Sequence, residues 1–349
     1  MRHPVSRLRA RVLAAGLALA AATLVPTGSA GAADEYEYEW AALGDSYTAG
    51  VFVGDPQPGL GDVGRDGCDR TSDAYPYLIE RRLADYPPGR PVRLTNVSCG
   101  AATIADVSTA KQTPISPVEP PAGGWAEVDQ QIERAKLSQQ TDVVTVGVGG
   151  NSLPFGEMLF KCIELGLGGQ SCRDYYTNPP EGVKSIKERL AQIEGEYIEM
   201  LANVHTVAPF AKVITVGYPA ILPQDAADCG QSDLTELGPI SPADIDWLRT
   251  DVLEAQNATI QRVSGFFGDR YADVYSSSVG HDVCQAPDTK WVEGLCGDAA
   301  DYWPSELPGG VFDCAAVDKR ATLVHPNAAG HENTAHHVER AVRIALLER

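Results

Sequence analysis

Val143-Val144-Thr145-Val146-Gly147-Val148-Gly149-Gly150-Asn151 runs from a nearly unbroken apolar stretch into a glycine-rich turn that ends on a carboxamide. A strand with one solvent face would alternate apolar and polar residues; this one does not, as expected of a parallel strand covered on both faces. Working outward, Trp40-Ala41-Ala42-Leu43 and Val92 to Val97 precede it as short strands, and Val213 to Val216 and Tyr271 to Val274 follow. Amphipathic stretches fill the gaps. Val183, Ile186, Leu190, Ile193, Tyr197, Leu201 and Val204 recur at three- and four-residue steps, one stripe on a long helix. Ile245, Leu248, Val252, Ile260 and Val263 repeat the pattern, and a last helix is expected over about Ala328 to Leu347. This rhythm predicts an α/β fold, a three-layer α/β/α sandwich around a central, mostly parallel sheet.

Residues 53–73, 152–182, 219–242 and 282–320 break the rhythm. They are rich in Gly, Pro and Asp and hold seven of the eight cysteines. They are expected to be loops at one rim of the sheet, stapled by disulfides because they have little core of their own. Open α/β sheets bind ligands outside the carboxyl ends of their strands, where most of these loops should lie. Cys68, Cys99, Cys162, Cys172, Cys229, Cys284, Cys296 and Cys314 form an even set with no C-x-x-C spacing, which disfavours a metal site. Pairing neighbours in order is the simplest connectivity: Cys68–Cys99, Cys162–Cys172, Cys229–Cys284 and Cys296–Cys314.

The first residues read as an address. Arg2, Arg7, Arg9 and Arg11 form a positive region, Val12 to Val25 is apolar, and Ala30-Gly31-Ala32 has the small-residue pattern of a cleavage site. A secretory signal peptide over 1–32 is expected, since a membrane span needs about 20 apolar residues. A single domain over 33–349 would remain, secreted and extracellular, without stable membrane insertion and monomeric. Losing the four arginines takes the formal net charge from −19 to −23. A surface this acidic repels phosphate backbones and excludes nucleic acid as a partner.

The chemistry gathers at strand ends. Gly44-Asp45-Ser46-Tyr47 follows the first strand, presenting a hydroxyl beside a glycine that permits a sharp turn. Asn96-Val97-Ser98-Cys99-Gly100-Ala101 ends the second, Gly149-Gly150-Asn151 the third, and His325-Pro326-Asn327 precedes the last helix. In these four blocks, in this order, the chain resembles the SGNH (GDSL-type) hydrolase family, and within it the secreted lipases and esterases of Streptomyces-like bacteria. The stretch Cys68-Asp69-Arg70-Thr71-Ser72-Asp73-Ala74-Tyr75-Pro76 resembles that branch too.

The resemblance implies a flavodoxin-like sandwich and a secreted serine ester hydrolase, EC 3.1.1.-, acting on a lipid or a small acyl ester. Ser46 would be the nucleophile and His325 the general base. Oxyanion donors would be the Ser46 and Gly100 N–H groups and the Asn151 amide, each worth roughly 3 to 4 kcal/mol in the transition state. Most of the family has Asp three residues before the histidine; here Thr322 stands there. The implied substitute is the Thr322 main-chain carbonyl, with Asp313 or Asp318 as the rival acceptor. Neither metal nor cofactor is expected.

Other candidates carry less. No serine lies in G-x-S-x-G. His331 and His336 are five apart, not the four of a zinc-protease helix, and solvated helix surface is expected there. Asp62 to Gly67 faintly echoes a calcium loop but has Gly at its third position. His205 and His281 are expected to be structural or exposed. Trp125, Trp247, Trp291 and Trp303 are candidates for an acyl pocket, with core packing favoured for the first two. Asn96 and Asn257 lie in N-x-[ST] patterns that occur often by chance. Competing readings are a polysaccharide acetyl esterase or a phospholipase A on the same site, and a catalytically silent secreted binding module, which has no need of all four blocks.

Overall fold

Five strands, β1 (Tyr38–Gly44), β2 (Val92–Asn96), β3 (Val143–Gly147), β4 (Lys212–Val216) and β5 (Arg270–Ala272), form the sheet in the computed structural model. Their order is β2-β1-β3-β4-β5 and every neighbouring pair is parallel. The structure describes residues 37–59, 64–307 and 313–348; the expected leader, 1–32, lies outside them. One compact unit spans Tyr36–Arg349.

Both faces of the sheet are covered, which is why β3 carries no polar alternation. Val144 and Val146 of β3, with Val213 of β4, pack on Ile193, Tyr197 and Leu201 of the helix Ile186–Val207 and Ile260 of the helix Ala255–Phe267. Val143, Ile214 and Val216 point the other way, onto Ile79 and Leu83 of the helix Tyr75–Asp85 and Val338 and Val342 of the helix Ala328–Leu347. Each such side chain, fully buried, contributes roughly 1.5–3 kcal/mol. The result is the three-layer sandwich.

Strand order reverses between β1 and β3, because β2 lies on one side of β1 and all later strands on the other. Ligand crevices open at such a switch point, outside the carboxyl ends. There Gly44 stands opposite Gly147.

Two expectations need correction. The stretch 152–182 is not loop throughout: it holds the helices Phe155–Leu167 and Cys172–Thr177. Met158, Leu159, Cys162 and Ile163 are buried at helical spacing, and this packing outweighs the surrounding glycines and prolines. The amphipathic run after Ser241 is also interrupted, as Leu248–Glu254 is π-helical between Pro242–Trp247 and Ala255–Phe267. The disulfides are Cys68–Cys99, Cys162–Cys172, Cys229–Cys284 and Cys296–Cys314. Among the described residues, no helix is long and apolar enough to cross a membrane.

At Gly44 the backbone of β1 passes so close to its neighbours that an added Cβ would collide with Thr48 Oγ1 and the Gly147 carbonyl. Gly44→Ala is therefore expected to destabilise the fold by about 1–3 kcal/mol, read as a lower midpoint of chemical denaturation. An unchanged midpoint would show that the β1–β3 approach is looser than described.

Candidate active site

The bend that carries Ser46 begins one residue after β1. Asp45 N–H donates to the Gly147 carbonyl at 3.0 Å, extending the β1–β3 pairing by one step. Its carboxylate then accepts the Tyr47 N–H at 3.0 Å, capping the short helix Ser46–Ala49. Gln131 braces the strand end, accepting the Gly44 N–H at 2.7 Å and donating to the Gly44 carbonyl at 2.8 Å. Ser46 is held at the first residue of a tight strand-to-helix turn.

His325 comes from the far end of the chain. Leu323 and Val324 both have positive φ, 46° and 57°, which folds the loop back on itself and turns the imidazole toward Ser46. Nε2 lies 2.7 Å from Ser46 Oγ. Nδ1 lies 2.9 Å from the Thr322 carbonyl and 2.9 Å from the Leu323 carbonyl. Carbonyl oxygens only accept, so Nδ1 carries the proton and Nε2 offers its lone pair to the serine O–H. Burial lowers the imidazole pKa below 6.5, and the two carbonyl bonds pull the other way. The ring is thus neutral at pH 7. Tyr47 steadies the loop by donating its hydroxyl to the Val324 carbonyl at 2.6 Å. Asp313 instead caps a short 3₁₀ turn through the Ala315 N–H, and Asp318 ends that turn. Both are exposed and neither is bonded to His325.

One of the expected donors is engaged elsewhere. Gly100 lines the cleft, but its N–H is donated to the Cys68 carbonyl at 2.9 Å. Its backbone has no positive φ, and an added Cβ would approach nothing nearer than 3.7 Å. The left-handed residue is the next one, Ala101, with φ 62°. Ala101 also lines the cleft, and its N–H has no acceptor among the described residues. The Ser46 N–H is likewise without one. Asn151 Nδ2 donates one hydrogen to the Ala102 carbonyl at 3.0 Å, which anchors the amide and leaves its second hydrogen for a ligand.

These groups meet at the floor of a cleft of about 660 Å³ whose walls include Val51, Phe155, Leu159, Phe160, Ile221 and Leu253. Of the four candidate tryptophans, Trp303 lines it. Trp247 stacks on Tyr176 in the core, Trp291 stacks on His281, and Trp125 is half-buried against the Ser116 carbonyl rather than in the core. His205 pairs with Asp269 at 3.0 Å. His331 is not solvated helix surface: it is buried, accepts the Tyr75 N–H at 3.3 Å, and burial drives its pKa down to about 3. Of the calcium-like segment, Asp62 lies outside the described residues, and Asp66 is engaged by Arg70 at 2.7 Å and Arg134 at 3.2 Å. Asn96 and Asn257 are buried.

Two further groups went unread in the sequence. Asp45 is buried, and that burial pushes its carboxyl up to about 7 against the opposing hydrogen bonds from Tyr218 and Tyr47. Tyr218, two residues beyond β4, donates its hydroxyl to Asp45 and accepts the Gly150 N–H at 2.7 Å. Position just past a strand end was the one available signal for Tyr218.

A family model described as the GDSL-like Lipase/Acylhydrolase family matches residues 42–332. The chain belongs to this family. Lipase 2 of Streptomyces coelicolor is 30% identical over 306 residues, 86% of this chain and 84% of that one. An esterase of Streptomyces scabiei is 27% identical over 316 residues, 84% of this chain and 86% of that one. Among solved structures, phospholipase A1 from Streptomyces albidoflavus matches with a TM-score of 0.56 at 20% identity, covering 88% of this chain and 99% of that chain; that likeness is one of fold. This GDSL-like protein is a carboxylic ester hydrolase.

Because the folded pKa of Asp45 lies above the ordinary 3.8, the native state holds this proton more tightly than the unfolded chain. Its contribution to stability is full below 3.8 and is lost as pH rises through about 7. Relative to Asp45→Asn, which cannot ionise, the parent hydrolase should lose about 2–4 kcal/mol across that interval. Urea denaturation of both proteins over the same pH series checks this; parallel curves would contradict it.

Proposed function

We propose that this hydrolase cleaves carboxylic esters through an acyl-enzyme on Ser46, with His325 as general base and then general acid. The observation that carries the reading is the 2.7 Å contact between Ser46 Oγ and a neutral, correctly tautomerised His325 Nε2, at the floor of a cleft with unspent donors around it. A serine hydroxyl is a poor nucleophile until an imidazole takes its proton. As Ser46 Oγ bonds to the ester carbon, its proton passes to His325 Nε2 and the carbonyl oxygen becomes an oxyanion. The Ser46 N–H, the Ala101 N–H and the Asn151 amide receive that charge; Ala101 takes the role first expected of Gly100. Collapse expels the alcohol, which leaves with the proton from Nε2. Water repeats the sequence to free the acid. The Thr322 carbonyl, joined by that of Leu323, holds the ring in place of a carboxylate, making the pair a dyad.

The walls favour one substrate class. Phe155, Leu159, Phe160, Ile221 and Leu253 suit an apolar acyl chain of a lipase or carboxylesterase substrate. An acetylated polysaccharide would need a small acyl pocket and a polar sugar platform instead. We further propose that residues 1–32 are removed on export, which the basic and apolar leader pattern and the disulfides support.

Ser46→Ala is expected to remove ester hydrolysis and fluorophosphonate labelling while the protein stays folded. More than a few per cent of residual activity in a folded variant would exclude Ser46. Across p-nitrophenyl esters, kcat/KM should rise from acetate toward medium chains, by at most roughly fourfold per methylene at ~0.8 kcal/mol each. A maximum at acetate would favour the deacetylase reading.

The pH profile tests the base. His325 must be neutral to act, so kcat/KM should fall on the acid side with a midpoint below 6.5, the ordinary imidazole value. A midpoint above 6.5 would mean that an anionic partner sits on the ring after all.

A further inference from the structure

We propose that Tyr218 is a positioning residue for ester hydrolysis: its buried hydroxyl ties the turn that carries Ser46 to the turn that carries Asn151, and so sets the distance between nucleophile and oxyanion donor. The inference rests on the roles proposed above for Ser46 and Asn151.

Tyr218 reaches from beyond β4 across the end of β3 to the end of β1. Its hydroxyl donates to the Asp45 carboxylate, one residue before Ser46, and accepts the N–H of Gly150, one residue before Asn151. One oxygen atom therefore bridges the two turns. The bridge has a rigid base, because Asn257 accepts the Tyr218 N–H at 2.8 Å and donates to the Tyr218 carbonyl at 2.9 Å. The ring packs edge-to-face on Tyr47, with centroids 5.1 Å apart. Tyr47 in turn holds the His325 loop through the Val324 carbonyl.

The hydroxyl does not exchange protons with substrate. Its hydrogen is committed to Asp45, and burial beside that carboxyl keeps the phenol pKa well above 10. What it supplies is geometry. Oxyanion donors act only when they lie within hydrogen-bond reach of the place where charge develops. The Ala102 bond holds the Asn151 side chain; the Tyr218 bond holds the backbone from which that side chain springs. Without it, Gly150 is held only through its carbonyl, which accepts the Phe155 N–H at 2.9 Å, and the N–H side of the peptide that leads to Asn151 loses its anchor.

Tyr218→Phe deletes one oxygen and keeps the ring. The expected result is a fall in kcat of about ten- to hundredfold with KM within about twofold, in a protein that still unfolds cooperatively. A wild-type kcat overturns the proposal. The decisive readout is coupling. In an Asn151→Ala background, Tyr218→Phe should cost less than about twofold further, because the group it positions is gone. If the two losses multiply in full, Tyr218 acts elsewhere and the proposal fails, while the role of Asn151 stands. If Asn151→Ala alone leaves kcat unchanged, the reading of the oxyanion site fails and this proposal with it. Asn257→Ala, which frees the base of the bridge and leaves the hydroxyl, provides a second route should Tyr218→Phe not fold. Its kcat loss should likewise vanish in the Asn151→Ala background, and persistence there overturns the proposal.

Discussion

The parallel pairing of β1 with β3, Gly44 opposite Gly147, is the constraint from which the site follows. Strand order reverses at that pair, so a crevice must open above it. The chain leaving β1 makes one more bond to β3, from the Asp45 N–H to the Gly147 carbonyl, and then turns into the helix that begins with Ser46. The chain leaving β3 reaches Asn151 four residues later. Any shift in the register of this pair would change the distance between Ser46 and Asn151. Gly44 permits the approach because a side chain there would meet both Thr48 and Gly147.

Around that fixed pair, the remaining groups are brought in by loops, each tied down separately. Cys68–Cys99 fastens the loop after Ser46 to the end of β2, and the Cys68 carbonyl holds the Gly100 N–H. The next residue, Ala101, is left-handed, and its N–H has no acceptor among the described residues. The His325 loop is held by two of its own carbonyls and by Tyr47. A carbonyl dipole steadies the imidazole but stabilises its charged form less than a carboxylate would. Burial compounds this, so the neutral ring is favoured over the imidazolium.

Much of this was legible in the sequence, for identifiable reasons. The strands show as short apolar runs because both faces are covered. Ser46, Asn151 and His325 stand out because their chemistry resides in side chains and because they follow strand ends or precede a helix. Ala101 did not stand out, since every residue but proline has an N–H and a neighbouring glycine drew attention to Gly100. Left-handed backbone usually selects glycine; here alanine adopts it, two residues after Cys99. Tyr218 contacts Asp45 across 173 residues of sequence, a relation no local pattern encodes. The helix Phe155–Leu167 was hidden by its flanking glycines and prolines, although Met158, Leu159, Cys162 and Ile163 carry its periodicity.

A crystal structure of the protein inactivated by a fluorophosphonate would place a phosphoryl oxygen where the proposed oxyanion forms. The expected result is phosphorus bonded to Ser46 Oγ, with that oxygen within about 3 Å of the Ser46 N, Ala101 N and Asn151 Nδ2 atoms. Phosphorus on another side chain, or an oxygen bound by the Gly100 N–H with Ala101 turned away, would contradict it.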